Sequence, residues 1–480
     1  MLQDRDLLSI QEARDMIRKA RVAFEAAKEL SQEQVDKIVK AMADAAYAHS
    51  KELAKMAVEE TSMGKYEDKI VKNTVASKSL YEAIKDMKTV GIVAEYPEKK
   101  IFEVAVPVGV VCGLVPCTNP TSTTIYKSII CMKSANPIII SPHPSAKNCI
   151  TKACEILSEA AEKAGAPANM FQVLQTLSMA GTHELMTNEG VNMILATGGK
   201  EMVKAAYSSG IPALGVGPGD VPAFIDHTAD VKLAVKRVFA SKTFDYGVIC
   251  ASEQSIVAEN CIKDQVLEAV KEEKGYMLNE EEYKKVCKVM VRRPGGVSPA
   301  IVGRAATKIA ELAGITVPAD TRVLCYCEKG VGDEYPFSWE KLSPCLGLYF
   351  EENWQAACER CIQLLTYGGI GHTLVMHSND EKVIREFALK KPVSRLLVNT
   401  PSSQGAVGAT TNLMPALTLG CGSVGGSATS DNVTPLNLIN LKRVAYGVRD
   451  VEDVDVDDTP VSDVDADAIA KMVIAALKEL

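Results

Sequence analysis

The sequence holds 14 cysteines, and one of them stands in a setting unlike the rest. Cys250 ends the small-residue turn of KTFDYGVICASEQSIV (242–257), just before a β-rich run. Gly247 and Ala251 put no bulk beside its sulfur, as a nucleophile requires if substrate is to reach it and local dipoles are to hold it as a thiolate. Taken alone the pattern is weak, because a cysteine beside a turn is more often a small core residue. Cys358 and Cys361 form C-x-x-C in ENWQAACERCIQLL without a second pair at zinc-finger spacing, so helix packing is expected and no metal. Cys325 and Cys327 alternate along a strand, and Cys421 lies in a glycine loop. Asn119, in LVPCTNPTST (114–123), reads on its own as a turn residue before Pro120. Gly420, Gly422 and Gly425 satisfy G-x-G-x-x-G, but SATSDNVTP follows instead of an apolar helix, so a Rossmann fingerprint is rejected.

The elements that must position these residues follow from periodicity. Residues 10–88 place apolar positions such as Ile38, Met42, Ala45 and Ala46 at three- and four-residue spacing, which predicts several amphipathic helices. VGIVAEYPEKKIFEVAV (90–106) reads as a hairpin with a polar tip. Short apolar runs then alternate with helices: VGVVCGLVP, a helix over IYKSIICMKSA, PIIIS, a helix over 145–163, MFQVL and MILAT. A second series begins near Pro222 with AFID, a helix over 229–242, EQSIVA and a helix over 260–273, then AIVG, RVLCY, LGLYF, TLVMH and RLLVN. The pattern predicts two tandem doubly wound α/β domains with parallel sheets.

With 480 residues the chain can bury a large core without disulfides. Its 53 Lys and Arg against 61 Asp and Glu give a net charge of −8, with no cationic run, so no nucleic-acid partner is expected. The longest apolar stretch, 104–117, contains two prolines and falls short of the ~20 residues that span a bilayer, so no membrane partner is expected either. The first 20 residues mix charges of both signs without an apolar h-region, which predicts a cytoplasmic protein with reduced thiols.

Six blocks carry a resemblance: KTFDYGVICASEQSIV, LVPCTNPTST, IIISPHPSAKN (138–148), ILATGGKEMV (194–203), GVGPGDVPAFID (215–226) and TLGCGSVGG (418–426). In this order, over about residues 5–449, the chain resembles the CoA-acylating branch of the aldehyde dehydrogenase superfamily. The resemblance implies the aldehyde dehydrogenase fold, with two tandem doubly wound α/β domains and a β-hairpin oligomerisation arm. It makes Cys250 the nucleophile and Asn119 the side-chain donor that stabilises the oxyanion, together with the Cys250 backbone N–H. Ser141 and His143 match positions near the adenosine ribose; Thr197, Gly198 and Gly199 match the loop and helix start near the pyrophosphate; Gly217 is placed with them. Glu340 matches the carboxylate on the nicotinamide ribose. The bland alternatives are a solvated surface acid for Glu340 and a satisfied histidine between prolines for His143. For His372, in GIGHTLV, a core role is the expectation.

Hydrolytic members of the superfamily carry a water-activating glutamate where this chain has Gly215-Val216-Gly217-Pro218. The implied activity is reversible NAD-dependent oxidation of acetaldehyde or propionaldehyde to the acyl-CoA, with CoA as co-substrate and NADP left open as an alternative to NAD. Sulfoacetaldehyde as substrate, reduction of an acyl phosphate, and a noncatalytic interaction protein are the competing readings. The domains expected are NAD-binding over 1–89 and 108–225, an arm over 90–107 and 438–449, and catalytic over 226–437. The arm predicts a homodimer or tetramer. Residues 450–467 hold nine acids and no base. They predict an acidic linker over 450–465, and an amphipathic helix over 466–480 places Ile469, Met472, Val473, Ala476, Leu477 and Leu480 on one face. This tail resembles encapsulation peptides, which implies docking to a bacterial microcompartment shell protein.

Overall fold

Apolar runs of five residues, too short for buried helices, form strands covered on both faces. Val111–Val115 and Ile138–Pro142 are buried at every position. A computed structural model describes residues 4–451 and Lys471. All but three of the residues assigned to the acidic linker and terminal helix (450, 451 and 471) lie outside the described residues.

Two compact units emerge, one of residues 1–91 and 105–440, the other of 92–104 and 441–480. The first contains two parallel sheets. Five strands lie in the order Phe171–Val173, Ile138–Pro142, Val111–Val115, Met193–Thr197, Ala213–Val216. The order reverses between Val111–Val115 and Met193–Thr197, which opens a crevice at the carboxyl ends of these strands. Lys127, wholly buried on the helix Pro120–Lys133, spans that reversal: its ammonium donates to Leu114 O at 2.6 Å and Leu195 O at 2.7 Å. Seven further strands lie in the order Gly275–Met277, Val323–Cys327, Cys345–Glu351, Glu253–Glu259, Val221–Ile225, Gly371–His377, Val393–Val398.

The N-terminal region is helical, from Arg5–Ala27 through Leu80–Ile84. Ser31 and Gln34 close a capping box on the helix Gln32–Ala48, whose Val35, Ile38, Val39, Met42, Ala43 and Ala46 are buried, with the helix Lys147–Ala164 as its main neighbour. One expected strand is absent: AIVG (300–303) is a turn, set by Pro299 before it, an Ile301 N–H bond to Ser298 O and Gly303 at φ 66°. The short strands Ala213–Val216 and Gly275–Met277 and the ribbon Val291–Arg293 with Gly296–Val297 were not expected from periodicity.

In the second unit, Arg443 Nε donates to Glu103 at 3.0 Å and the Tyr446 N–H donates to Lys100 O at 3.1 Å. The first bond joins neighbouring strands of a sheet ordered Gly91–Tyr96, Ile101–Pro107, Ile439–Ala445, and the second lies just beyond the strand ends. Ile92, Leu441 and Tyr446 expose large apolar surface at 51%, 40% and 62%. Among the described residues, no helix is long and apolar enough to cross a membrane.

Candidate active site

The chain leaves the five-stranded sheet at Val216 and enters the seven-stranded sheet at Val221, so residues 217–220 cross directly from one to the other. Gly219 on this link touches the Cys250 backbone. A Cβ there would lie 1.8 Å from Cys250 O and 3.3 Å from His372 Cε1, so any side chain would push the nucleophile turn away. Gly215 is confined less severely and by side chains, since its Cβ would lie 2.8 Å from both Val203 Cγ1 and Tyr207 Cε2.

Cys250 follows a turn in which Asp245, Tyr246 and Gly247 all adopt positive φ (51°, 53° and 78°). For the first two this is an unfavourable conformation, costing on the order of 1–2 kcal/mol each. The buried Asp245 carboxylate holds it. Oδ2 accepts from Lys72 Nζ at 2.5 Å and Lys69 Nζ at 3.0 Å, and Oδ1 accepts the Lys65 N–H at 2.7 Å. Burial alone would raise this carboxyl's pKa, but Lys72 and Lys69 more than offset it and hold it below the ordinary range. Asp68 accepts the Asp245 N–H at 2.7 Å.

Asn119 is the N-cap of the helix Pro120–Lys133, with proline in its first turn as that position favours. Its side chain makes no capping bond; Oδ1 accepts from Lys72 Nζ at 2.6 Å and Nδ2 donates to Thr118 Oγ1 at 3.2 Å. The sequence reading of Asn119 as a turn residue is thus replaced by a helix start whose amide is turned elsewhere.

One cavity of ≈ 1930 Å³ brings together all nine residues expected to be catalytic or cofactor-binding: Asn119, Ser141, His143, Thr197, Gly198, Gly199, Gly217, Cys250 and Glu340. Its size exceeds the ~300–1,000 Å³ of ordinary small-ligand pockets. On the side of the five-stranded sheet its features suit a dinucleotide. Thr197 Oγ1 is buried without a partner, the helix Lys200–Tyr207 starts without a side-chain cap, and a Cβ at Gly199 or Gly217 would meet only open space. Ser141 shares a hydrogen bond of 2.9 Å with Thr182, a further lining residue the sequence did not reveal. His143 is exposed, with Nδ1 accepting from the Ser145 N–H at 3.2 Å.

Glu340 is no solvated surface acid: it lines the cavity and accepts the Gly219 N–H at 2.9 Å. Burial raises its pKa to about 7. Cys250, partly open to the cavity, rests as a thiol with its pKa pushed up to about 12 by desolvation and then by Glu340, against the pull of Arg395. Arg395 is itself buried and donates to the backbone carbonyls of His372, Gly420 and Ser430. His372 is fully buried, and burial and Arg395 push its pKa down to about 3; it is therefore neutral, with Nδ1 beside Thr373 Oγ1 at 2.9 Å and Nε2 unpartnered. Gly425, from the rejected glycine motif, also lines the cavity, in a short 3-10 turn.

The chain belongs to the aldehyde dehydrogenase family, whose model matches residues 6–281. It is 48% identical over 420 residues to the bifunctional aldehyde-alcohol dehydrogenase of Escherichia coli, an alignment covering 86% of this chain and 47% of that protein. The chain thus spans about half the length of that relative. It is 38% identical over 433 residues to a succinate-semialdehyde dehydrogenase (acetylating) of Clostridium kluyveri, covering 90% and 95% of the two chains. Among solved structures, an acetylating aldehyde dehydrogenase from Geobacillus thermoglucosidasius superposes with a TM-score of 0.92 at 48% identity, covering 94% of this chain and 99% of that one.

Two measurements follow from this geometry. Alkylation of Cys250 by iodoacetamide in the ligand-free protein, followed by peptide mass spectrometry, is expected to accelerate roughly tenfold per pH unit from about pH 7 to 9, because only the thiolate reacts. A rate that levels off below about pH 8 would instead reveal a thiolate already formed. Asp245→Ala leaves Lys69 and Lys72 uncompensated and is expected to cost about 3–5 kcal/mol in urea unfolding. A loss under about 1 kcal/mol, the worth of an exposed ion pair, would mean that water reaches the cluster.

Proposed function

We propose that the protein carries out reversible NAD-dependent oxidation of a short-chain aldehyde, acetaldehyde or propionaldehyde, to the acyl-CoA through a thioester on Cys250. The single observation that carries this reading is the convergence of Cys250, Asn119 and residues 215–218 on one cavity. At Gly215, where hydrolytic relatives place their glutamate, a side chain would require Val203 and Tyr207 to shift.

Cys250 thiolate adds to the aldehyde carbon, and the negative charge that forms on oxygen is received by Asn119 Nδ2–H and the Cys250 N–H. The oxidised nicotinamide, when bound, supplies the hydride acceptor and a positive charge that favours ionisation of the sulfur. Thr197, Gly198, Gly199 and Gly217 line the space proposed for its pyrophosphate, with Ser141 and His143 toward the adenosine ribose and Glu340 toward the nicotinamide ribose. Collapse of the oxyanion with loss of hydride leaves an acyl thioester on Cys250. CoA, its thiol having lost a proton to solvent, then attacks this carbonyl as the thiolate, the same donors receive the second oxyanion, and Cys250 departs as thiolate. One thioester is exchanged for another, which keeps the reaction near balance and reversible. A thiol is also a far better nucleophile than water without a base.

The same proposal includes a homo-oligomer formed through the arm, consistent with the exposed Ile92, Leu441 and Tyr446, and a cytoplasmic site of action. It also includes docking of residues 466–480 on a microcompartment shell protein, supported by the apolar spacing of that segment.

With aldehyde and NAD+ but no CoA, intact mass spectrometry should detect an acyl adduct on Cys250; with CoA added, acyl-CoA should be the product. Free carboxylic acid as the main product in the presence of CoA would refute the reading. Asn119→Ala should lower kcat by about 100- to 1000-fold, the usual effect of losing one oxyanion donor, while the lost Lys72 bond costs only about 1–3 kcal/mol of stability and the protein stays folded. Deletion of 460–480 should abolish co-purification with shell protein while sparing activity in dilute solution, and retained co-purification would remove the docking assignment.

A further inference from the structure

The helix Tyr66–Thr74 turns a polar face inward: its buried residues are Lys69, Lys72 and Asn73, while Val71 is exposed. Asn73 and Lys69 are occupied with the surrounding backbone and helix start. Asn73 Nδ2 donates to Ser50 O at 3.0 Å and its Oδ1 accepts from Thr121 Oγ1 at 2.8 Å; Lys69 Nζ donates to Thr118 O at 3.1 Å. Lys72 does something different. Its ammonium has three donors and uses them on three acceptors of separate origin: Asp245 Oδ2 at 2.5 Å, Asn119 Oδ1 at 2.6 Å and Val248 O at 2.9 Å.

We infer that Lys72 is the positioning residue of the oxyanion site, fixing the side-chain amide of Asn119 and the backbone leading to the Cys250 N–H from a single atom. The inference rests on the reading of Asn119 as an oxyanion donor and deepens it. An ammonium has no acceptor, so it meets only the oxygen of an amide, and the NH2 must face away. The reverse orientation would set the amide oxygen against the negative charge formed during reaction. An asparagine at a helix N-cap ordinarily uses its oxygen to cap the first turn. Here that bond is missing and Lys72 has taken the oxygen. One amide hydrogen is used on Thr118 Oγ1 at 3.2 Å, which leaves the second for substrate. The bond to Val248 O holds the chain two residues before Cys250, so the spacing between the two oxyanion donors is set by the reach of one side chain. The positive charge also polarises the amide and strengthens its remaining N–H. Lys72 is absent from the cavity wall, so it acts through Asn119 and the turn.

Kinetics of Lys72→Met, Asn119→Ala and the double variant, with NAD+ affinity from fluorescence titration, test this. Lys72→Met leaves Lys69 to neutralise Asp245, so the fold should persist. Its kcat should fall about 10- to 100-fold, as for a misplaced catalytic group, while the aldehyde KM and the NAD+ dissociation constant move less than about threefold. The double variant should be no slower than Asn119→Ala within about twofold, because Lys72 has nothing left to position. If Lys72→Met does not fold, Lys72→Gln enters the same cycle. A kcat within about twofold of the parent, or a double variant slowed by the full product of the two single effects, overturns the inference. An Asn119→Ala protein with unimpaired kcat removes the donor reading and the inference with it. A slow Asn119→Ala beside an unaffected Lys72→Met removes only the inference.

Discussion

A carboxylate taken out of water must find cations, and the burial of Asp245 organises the surroundings of the nucleophile. Unpaired, its charge would be very costly; with Lys69 and Lys72 beside it, its pKa falls below the ordinary range despite complete burial. The two lysines come from the N-terminal helices and the aspartate from the turn before Cys250, so the bonds join segments more than 170 positions apart in the chain. The same carboxylate excludes a side chain from Gly64, whose Cβ would lie 1.9 Å from Asp245 Oδ1. Two successive non-glycine residues at positive φ can persist at 245 and 246 because the ion pairs over-determine the turn.

Glycine sets the other boundary of the nucleophile. Gly219 presses against the Cys250 carbonyl, and its N–H is received by Glu340 at 2.9 Å. Backbone and carboxylate therefore share one contact surface beneath the cavity. This explains why the sulfur rests protonated: desolvation and a nearby carboxylate both disfavour its anion, and Arg395 opposes them only in part.

Much of this was legible in the sequence. The parallel sheets followed from apolar runs such as IIIS and from their alternation with helices, and the resemblance identified nine residues, eight within the six blocks and Glu340 outside them, that prove to share one cavity. What stayed hidden has a physical cause. AIVG has strand composition, but Pro299 and Gly303 bend it into a turn. Lys69, Lys72 and Asn73 follow the three- and four-residue spacing of a buried helical face, yet apolar periodicity overlooks a face made of polar residues. Their partner Asp245 lies far away in sequence, and only the fold shows that the charges are matched. Thr182 was invisible for a simpler reason: it enters the cavity from the helix Met179–Thr187, which carries none of the matched blocks.

For the proposed acyl transfer, the decisive feature is a lack of room. Val203 and Tyr207 close over Gly215, and the Tyr207 hydroxyl accepts the Gly215 N–H at 2.8 Å, locking that backbone in place. A water-activating carboxylate is therefore shut out by packing as well as by residue identity. The carboxylate nearest in influence, Glu340, is engaged by Gly219, and in the proposed complex it turns to the ribose of the dinucleotide. An acyl group on Cys250 would then meet water without a glutamate at position 215 to activate it, whereas CoA brings a thiol of far greater intrinsic nucleophilicity. Discrimination between thiolysis and hydrolysis thus needs no recognition of the acyl chain. In the proposed reaction it would come from the residue identity and packing at Gly215.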